Sequence, residues 1–369
     1  MLPFFTEQYG NASSIHSVGA EAKNALEESR TKLASFLGAK PEEIVFTSGG
    51  TESNNFALKG IAYANRQKGK HIITSRIEHD SILNPCQWLE KQGFEVTYLP
   101  VDNEGFISIN DLKNSIRKDT ILVSIIHANN EIGTIEPIEE IGTVCREHHI
   151  SFHTDACQSF TKVPLNIRRQ PIDLMTINAH KIYGPKGVGA LFIKEGTTIS
   201  PWQHGGGHER GLRSSTENIP GIIGLTKAAT ISIEEFERET KRLTQLRDKI
   251  ITTIEETIET SYLNGPKNNR VCNNVNVGFH GLEGEAVKLL MELDERKIIV
   301  STGSACSSNE GENKPSHVLS AIGLNQVEAR GALRITLGRY NTEDEVDYFL
   351  STLPESMRSL RSIFTITKR

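Results

Sequence analysis

Short β-branched segments alternate with longer amphipathic segments along much of this chain, and this alternation restricts its fold more than any other feature. The β-branched segments are EIVFTS, HIITS, FEVTYLPV, TILVSIIHAN, ISFHTDA, LMTINAH and GALFIK. Segments with helical spacing lie between them, including TESNNFALKGIAYANRQ and SILNPCQWLEKQG. Such repetition, with strands that are almost continuously apolar, predicts a mostly parallel sheet with helices on both faces. Ligands of these sheets bind at the carboxyl ends of the strands, so functional residues are expected there.

A different pattern follows Thr216. The long helical segment AATISIEEFERETKRLTQLRDKIITTIEET is followed by NVNVGF, GEAVKLLMELDERK, KIIVST, ALRITL and EDEVDYFLSTL. These segments have the character of strand, helix, strand, strand and helix, which predicts a smaller α+β domain. We therefore expect a large domain at residues 1–235, whose first residues can pack on the small domain, and a small domain at residues 236–369.

Composition excludes several classes of protein. The chain has 369 residues, enough for one large and one smaller domain. Its net charge of -5 lacks the basic excess that nucleic-acid-binding proteins need. No apolar run reaches the roughly 18 residues of a membrane-spanning helix, and the first residues lack a secretory signal pattern. These observations predict a cytoplasmic protein without a direct nucleic-acid or membrane partner.

The cysteines give no sign of a disulfide framework or a standard zinc site, because the five are an odd number and include no CxxC pair. One of them, Cys306, lies in STGSACSSNEGENKPSH, a segment that neither a helix nor a strand favours. This position predicts an exposed thiol in a flexible loop.

The segment FTSGGTESNN has the pattern of a phosphate site. A strand ends at Thr47, two glycines permit close backbone approach, and Thr51 begins a helix. The free N–H groups and the dipole of a helix N-terminus favour an anion. The same turn also serves in many proteins as a tight connection from strand to helix, so the pattern alone does not decide between the two.

Two further motifs place an acid and a lysine at strand ends. HTDACQS carries Asp155 and Gln158, although an Asp after a strand can also cap a helix. NAHKIYGPKGVGALFIK carries Lys181 before a Gly-Pro turn, whereas Lys186 is expected to be an ordinary solvated lysine. A fixed, partly desolvated lysine can form a Schiff base. A phosphate site, a carboxylate for a ring nitrogen and such a lysine are what pyridoxal 5'-phosphate requires.

At these residues the chain resembles the cysteine desulfurases and the related selenocysteine lyases of the class V aminotransferase group. The resemblance runs from about residue 3 to about residue 350 and is carried by YGNASSIHSVGAEA, FTSGGTESNNFALKG, EHDSI, HANNEIGTIEPI, HTDACQS, AHKIYGPKGVGAL, HGGGHERGLRSSTEN, GSAC and LRITLGRYNTEDEV. It implies the fold type I architecture of pyridoxal-phosphate enzymes, with a mostly parallel seven-stranded sheet in the large domain and a smaller α+β domain.

The resemblance also implies roles for individual residues. Lys181 would hold the cofactor and move the substrate's Cα proton, while Asp155 would pair with the ring nitrogen and His79 would stack on the ring. The other residues that would contact the cofactor are Gly50, Thr51, Asn130, Gln158, Asn178, His180 and Thr216, the last supplied by the second subunit of a homodimer. Arg334 would bind the substrate carboxylate, a task suited to its bidentate fork, and Asn130 would assist it. Arg339 is a nearby alternative to Arg334.

The implied reaction converts L-cysteine to L-alanine and leaves the sulfur on Cys306 as a persulfide, which an acceptor protein then takes. The acceptor would be an iron-sulfur scaffold, a tRNA-thiolation relay or a DNA-sulfur-modification pathway. The thiolate must be exposed and mobile to do this, which the predicted loop permits.

The sequence departs from the family in several ways. The family usually has an Ala-Thr-Thr-Pro-like segment about twenty residues upstream of YGN, and the printed chain begins just ahead of YGN. Asn178, Ser215 and Gly50 stand where Ser, Gly and Ala are common.

Alternatives to a cysteine desulfurase are a selenocysteine lyase, an inactive cofactor-bound scaffold protein and an aminotransferase that makes no use of Cys306. A metal site is not expected. The residues that would form one are Cys145, His148, His149 and His153, or His204 and His208.

Overall fold

The computed structural model describes residues 1–302 and 315–367, with side chains described to residue 361. Two compact units divide the chain. The first unit contains Met1–Leu99, Ile107–Ala128 and Glu136–Phe236, and the second contains Pro100–Phe106, Asn129–Ile135 and Glu237–Arg369. Each unit is built around its own sheet.

The first unit contains a seven-stranded sheet. Its strands are β1 (Ile44–Thr47), β2 (His71–Ser75), β3 (Glu95–Leu99), β4 (Thr120–Ser124), β5 (Ser151–Asp155), β6 (Leu174–Asn178) and β7 (Gly189–Ile193). Every residue of β1, β2, β4, β6 and β7 is buried, as expected for strands covered on both faces. The prediction of a mostly parallel seven-stranded sheet is therefore confirmed.

The strand order is β1-β7-β6-β5-β4-β2-β3. Only β7 runs opposite to the others: it pairs antiparallel with β1, where Ile44 faces Phe192, and with β6, where Asn178 faces Gly189. A Cβ at Gly189 would lie 2.8 Å from the Gly49 Cα, so glycine at the start of β7 allows the turn after β1 to approach. The carboxyl ends of β1, β2, β4, β5 and β6 thus meet at one edge of the sheet.

Helices cover this sheet. They are α1 (Pro3–Thr6), α2 (Ser17–Leu37), α3 (Gly50–Ala64), α4 (Asp80–Lys91), α5 (Ile109–Ser115), α6 (Ile138–Glu147) and α7 (Ile219–Glu234). Apolar residues of α3 and α4, such as Phe56, Leu58, Ile61 and Ile82, form one buried cluster with residues of the strands. The first residues of the chain lie in this unit, where a Cβ at Gly224 would meet the Met1 Sδ at 2.5 Å.

The second unit contains a four-stranded antiparallel sheet in the order β10-β11-β9-β8. The strands are β8 (Ser261–Leu263), β9 (Asn274–Phe279), β10 (Ser301–Thr302) and β11 (Leu333–Thr336), and the helices are α8 (Phe236–Thr257), α9 (Ala286–Glu295), α10 (His317–Ala321), α11 (Gln326–Gly331) and α12 (Glu343–Thr367). Leu246, Ile250, Val275, Leu293 and Leu353 belong to its apolar core.

Several elements differ from the expectations. The long helical segment after Thr216 is two helices, α7 and α8, that meet at Glu235. The segment KIIVST forms a strand only at Ser301–Thr302. Among the described residues, no helix combines the length and apolar content needed to cross a membrane.

Candidate active site

Polar side chains from four strand ends lie at the carboxyl edge of the first unit's sheet. Gly50 and Thr51 follow β1, His79 follows β2, Asp155 ends β5 and Lys181 follows β6. β5 and β6 are neighbouring parallel strands in which Asp155 lies opposite Thr176. The acid and the lysine singled out in the sequence are therefore placed on adjacent strand ends.

Asp155 is a buried carboxylate, 5% exposed, that hydrogen bonds leave only partly saturated. Its Oδ1 accepts the backbone N–H of Cys157 at 2.9 Å, and its Oδ2 accepts the Asn54 side-chain amide at 2.7 Å. A carboxylate has about four lone-pair positions, so within the described part of the chain Asp155 retains capacity for a further donor. Gln158, half-buried, lies in the turn that follows.

Lys181 lies in a 3-10 turn, His180–Ile182, directly after β6. The turn is closed by the N–H groups of Ile182 and Gly184, which both donate to the Ala179 carbonyl, at 3.0 and 2.9 Å. Tyr183 adopts a left-handed conformation, with φ 65°. This geometry holds the exposed Lys181 at the sheet edge.

The charge of Lys181 reaches two neighbouring groups. Burial lowers the pKa of His180, and the positive charges of Lys181 and Lys186 lower it further. Burial also raises the pKa of the Cys157 thiol well above its usual value and the Asp155 charge adds to this, whereas Lys181 and Lys162 oppose it. Cys157 therefore lies within electrostatic range of both Asp155 and Lys181.

The turn between β1 and α3 forms a small cup. Gly49 has φ 152°, which L side chains rarely adopt, and a Cβ there would meet nothing within 4 Å. A Cβ at Gly50 would lie 2.6 Å from the Cys157 Sγ and 3.3 Å from the Asn178 Nδ2. The N-cap residue of α3, Gly49, makes no side-chain cap, and N–H groups of a helix's first turn that lack a cap suit an anion.

Glu52 and Arg213 support this cup from the side. Arg213 donates from Nε and Nη2 to the two carboxylate oxygens of Glu52, at 2.7 and 3.2 Å. Glu52 also accepts the Ser48 backbone N–H at 2.7 Å. Although burial acts to raise it, these hydrogen bonds hold the pKa of Glu52 below its usual value. The pair fixes the turn at its first residue.

His79 caps the N-terminus of α4, with its Nδ1 accepting the Ser81 backbone N–H at 3.1 Å. Two other buried groups lie near the ends of β2 and β4. Burial raises the pKa of Glu78 to about 8, and its Oε1 accepts hydrogen bonds from Ser75 and from the Ile126 N–H. Burial lowers the pKa of His127 to about 4, so burial favours the neutral form of both groups.

The second unit contains the two residues expected to bind substrate. Arg334 is half-buried on β11, and its Nη1 donates to the Asn130 carbonyl at 3.4 Å while its Nη2 donates to the Ser301 Oγ at 3.1 Å. The structure thus brings Asn130 and Arg334 together within that unit. Thr216, in the first unit, is exposed. Cys306 lies outside the described residues.

The residues of the first unit fit pyridoxal 5'-phosphate. The Asn178 Oδ1 is buried and, within the described residues, has no hydrogen-bond partner, so a donor or a water at the cup would satisfy it. The glycine turn accepts a group that a side chain would otherwise exclude, and Asp155 can accept a ring N–H. An anion site, an acid and a lysine that converge in this way suit a phosphorylated aldehyde cofactor.

Some residues that belong to this site were not predicted from the sequence. Asn54 and Ser81 lie in the quoted segments TESNN and EHDSI, but nothing in either pattern shows that they reach Asp155 and His79. Asn54 is 101 residues from Asp155 and 27 residues from Ser81, so only the folded sheet brings these side chains together. No sequence pattern indicates that the Cys157 thiol lies close to Gly50, where an added Cβ would be 2.6 Å from the Sγ.

The cysteine and histidine clusters considered for metal binding do not converge. His153 is buried between the hydroxyl groups of Ser124 and Thr176, at 2.9 and 3.0 Å. Within residues 1–302 and 315–361, no group of three or more His, Cys, Asp or Glu side chains is arranged to hold a metal ion.

Comparison with known proteins gives consistent matches. The family profile "Aminotransferase class-V" matches residues 1–349. A cysteine desulfurase IscS from Dictyoglomus turgidum is 54% identical over 363 residues, which cover 98% of this chain and 91% of that protein.

Solved structures agree with these sequence matches. A structure titled NifS-like protein superposes with a TM-score of 0.90 at 38% identity, covering 97% of this chain and 94% of that chain. A structure titled SspA in complex with cysteine has a TM-score of 0.78 at 39% identity, covering 92% and 94%.

Proposed function

The chain belongs to the class V aminotransferase family, and from that premise we propose that it is a pyridoxal-phosphate-dependent cysteine desulfurase. The substrate is L-cysteine, the product is L-alanine, and the sulfur passes to Cys306 as a persulfide. A related structure is titled as a complex with cysteine, which supports this substrate.

The observation that carries the proposal is the placement of Asp155 and Lys181 on adjacent strand ends beside the cup at Gly50. When bound, pyridoxal phosphate supplies an electron sink that makes both loss of the Cα proton and cleavage of the Cβ–S bond possible. Gly50, Thr51, Asn178 and His180 would bind the phosphate at the cup, and Gln158 would contact the ring hydroxyl.

Three side chains orient the site and handle protons. Asp155 accepts the ring N–H and keeps a negative charge beside it. Lys181 anchors the cofactor and moves the proton at the substrate's Cα. His79 would lie against the face of the bound ring. In the second unit, Arg334 binds the substrate carboxylate, with Asn130 beside it.

The sulfur transfer requires no external oxidant. The Cys306 thiolate attacks the substrate sulfur, an S–S bond forms and the Cβ–S bond breaks. The electron pair of the broken bond stays with the substrate carbon, which takes a proton and leaves as alanine. Cys306 carries the persulfide until an acceptor protein removes the sulfur.

The proposal is tested with the purified holoenzyme, L-cysteine and variants at three positions. We expect Lys181→Ala to lose the visible absorbance of the lysine-bound cofactor and about a thousandfold of the alanine-forming rate. Lys186→Ala, five residues further along the same segment, serves as the matched control and keeps both. We expect Cys306→Ala to keep the absorbance and to lose the added sulfur that mass spectrometry detects on the peptide containing residue 306.

A persulfide formed at the normal rate by Cys306→Ala would contradict the mechanism. Parallel assays with L-selenocysteine distinguish a selenocysteine lyase, which would release alanine from that substrate and not from cysteine. A yellow, cofactor-loaded protein that forms no alanine from either substrate would instead indicate an inactive scaffold.

We also propose a homodimer in which Thr216 binds the cofactor phosphate of the other subunit. Lys181→Ala and Thr216→Ala chains are each inactive alone in this arrangement. Coexpression gives hybrid dimers with one site that has both residues intact, so activity returns to about a quarter of the wild-type value. If Thr216 served its own subunit, no hybrid would regain activity.

The proposed acceptor is a protein, either an iron-sulfur scaffold or a thiolation relay. Incubating persulfide-loaded enzyme with each candidate acceptor and following the labelled sulfur distinguishes them.

A further inference from the structure

A continuous chain of hydrogen bonds joins His79 to Asp155. The His79 Nδ1 lies 2.8 Å from the Ser81 Oγ, and the same Oγ accepts the Asn54 side-chain amide at 2.8 Å. The Asn54 amide also donates to the Asp155 Oδ2 at 2.7 Å. Asn54 and Ser81 are buried, and they connect α3 and α4 with the end of β5.

The fixed donors and acceptors of this series of hydrogen bonds determine where its protons lie. The backbone N–H of Ser81 is a donor and cannot rotate, and it points at the His79 Nδ1 at 3.1 Å. Nδ1 is therefore the acceptor, and a neutral His79 carries its proton on Nε2. The Ser81 hydroxyl receives the Asn54 N–H and is free to turn its own proton toward Nδ1.

Asn54 is held in one orientation by the Asp155 charge. Both of its N–H bonds are used, one on the carboxylate and one on Ser81, while its Oδ1 has no partner among the described residues. Rotating the amide by half a turn would place this oxygen against the carboxylate oxygen. Because the charged acceptor strongly prefers a donor, the arrangement with Oδ1 unpartnered is the stable one.

We propose that Asn54 and Ser81 are positioning residues that strengthen the Nε2–H tautomer of His79, which the Ser81 backbone N–H selects, and that tie the orientation of His79 to that of Asp155. His79 then presents a hydrogen-bond donor at Nε2 while it is neutral. This inference rests on the proposed function only for the roles of His79 and Asp155 toward the cofactor. The hydrogen-bond chain itself belongs to the protein and is measurable without turnover.

The test is a long-range 15N–1H spectrum of holoenzyme labelled with 15N-histidine, assigned with His79→Gln. For wild type we expect the widely separated ring-nitrogen shifts of a single Nε2–H tautomer. In Ser81→Ala and Asn54→Leu we expect the two shifts to move part of the way toward each other, because the backbone N–H at residue 81 remains while the hydroxyl donor at Nδ1, or the amide that holds this hydroxyl, is lost. The matched controls are Ser81→Thr, which restores a hydroxyl, and Asn55→Leu, the same change one residue along α3.

Kinetics provide a second readout. We expect kcat to fall about threefold to tenfold for Ser81→Ala and Asn54→Leu, as for the loss of one buried hydrogen bond, with wild-type values for both controls. A wild-type His79 that carries its proton on Nδ1 would overturn the proposal. So would wild-type ring shifts in both Ser81→Ala and Asn54→Leu. Absence of desulfurase activity in wild type would refute the proposed function and leave the ring-shift result able to decide this one.

Discussion

Asp155 in the first unit and Arg270 in the second are both buried charges, and each is 5% exposed. The guanidinium of Arg270 makes four hydrogen bonds within its own unit, to the carbonyl oxygens of Pro266, Asn264 and Asn274 and to the Asn274 Oδ1. Burial, with Arg247 adding to it, lowers the pKa of Arg270 to about 9. Asp155 accepts one N–H on each oxygen and has capacity left.

The difference distinguishes a structural charge from a functional one. Arg270 donates hydrogen bonds to carbonyl groups that would otherwise be buried without partners, so it stabilises the loops around it. Asp155 is held by Asn54 and Cys157 in a way that leaves room for one more donor, which suits a ligand. The number of remaining hydrogen-bond positions, more than burial itself, separates the two.

The largest effect is expected at Asp155, the buried charge that can accept a further hydrogen bond. Asp155→Asn removes the negative charge and we expect kcat to fall roughly 10²-fold to 10³-fold, because the ring nitrogen loses its electrostatic partner. Steady-state kinetics measure this, together with thermal unfolding. Asp173→Asn is the control, since Asp173 lies at the opposite end of β6 and pairs with Lys194. Equal kcat values for the two variants would break the distinction.

At Arg270, we expect the main effect to be on stability and not on kcat. Arg270→Met leaves the carbonyl groups of Pro266 and Asn264 without donors, so the free energy of unfolding falls by about 3 kcal/mol. Denaturant unfolding measures this, with the exposed Arg358→Met as the control. If Arg270→Met lowered kcat as strongly as Asp155→Asn without changing stability, Arg270 would be functional and the comparison would be wrong.

Glu78 is a third kind of buried group, because burial favours its protonated, neutral form. Because the folded pKa is about 8, above that of an unfolded glutamate, the native state holds a proton that the unfolded state releases between these values. This stabilisation is present below the unfolded pKa and is lost as pH rises toward 8, by at most about 1.4 kcal/mol per pH unit.

Glu78→Gln cannot ionise, so its unfolding midpoint should lack this dependence. We expect the wild-type midpoint to fall relative to that of Glu78→Gln as pH rises from 5 to 8. Parallel curves for the two proteins would show that Glu78 keeps its charge in the folded state.

The smallest expected effect concerns the shape of the cup. A Cβ at Gly50 would lie 2.6 Å from the Cys157 Sγ, so Gly50→Ala displaces the thiol and costs about 1 kcal/mol. In Gly50→Ala/Cys157→Ala the sulfur is gone, and we expect cofactor affinity and stability to recover. A double-mutant cycle measures the coupling, and purely additive effects would contradict this contact.

The fold could be predicted from the sequence, and so could the strand ends at which the candidate site lies. The seven apolar runs correspond to the seven strands of the large sheet, because the spacing of apolar residues within a short segment indicates whether it forms a buried strand. The same runs placed Asp155 and Lys181 at strand ends. The roles of individual residues depended on the resemblance to the family and remain predictions.

Other features depend on distances that no local pattern contains. Ser81 and Asn54 meet only because α3 and α4 pack beside each other after β1 and β2 have joined a common sheet. The contact between Gly50 and Cys157 likewise requires that β1 and β5 end at the same edge. The break between α7 and α8 at Glu235 was missed because helical spacing continues through it.

The antiparallel position of β7 has a consequence for how this protein is made. β1 is an edge strand that, among the described residues, pairs with β7 alone, with Ile44 opposite Phe192. During synthesis β1 leaves the ribosome early and has no partner until Gly189–Ile193 has followed it. Because contacts of such large sequence separation form slowly, the phosphate cup after β1 is expected to be completed late in folding. Cofactor added to a refolding reaction would then bind only after most of the sheet has formed.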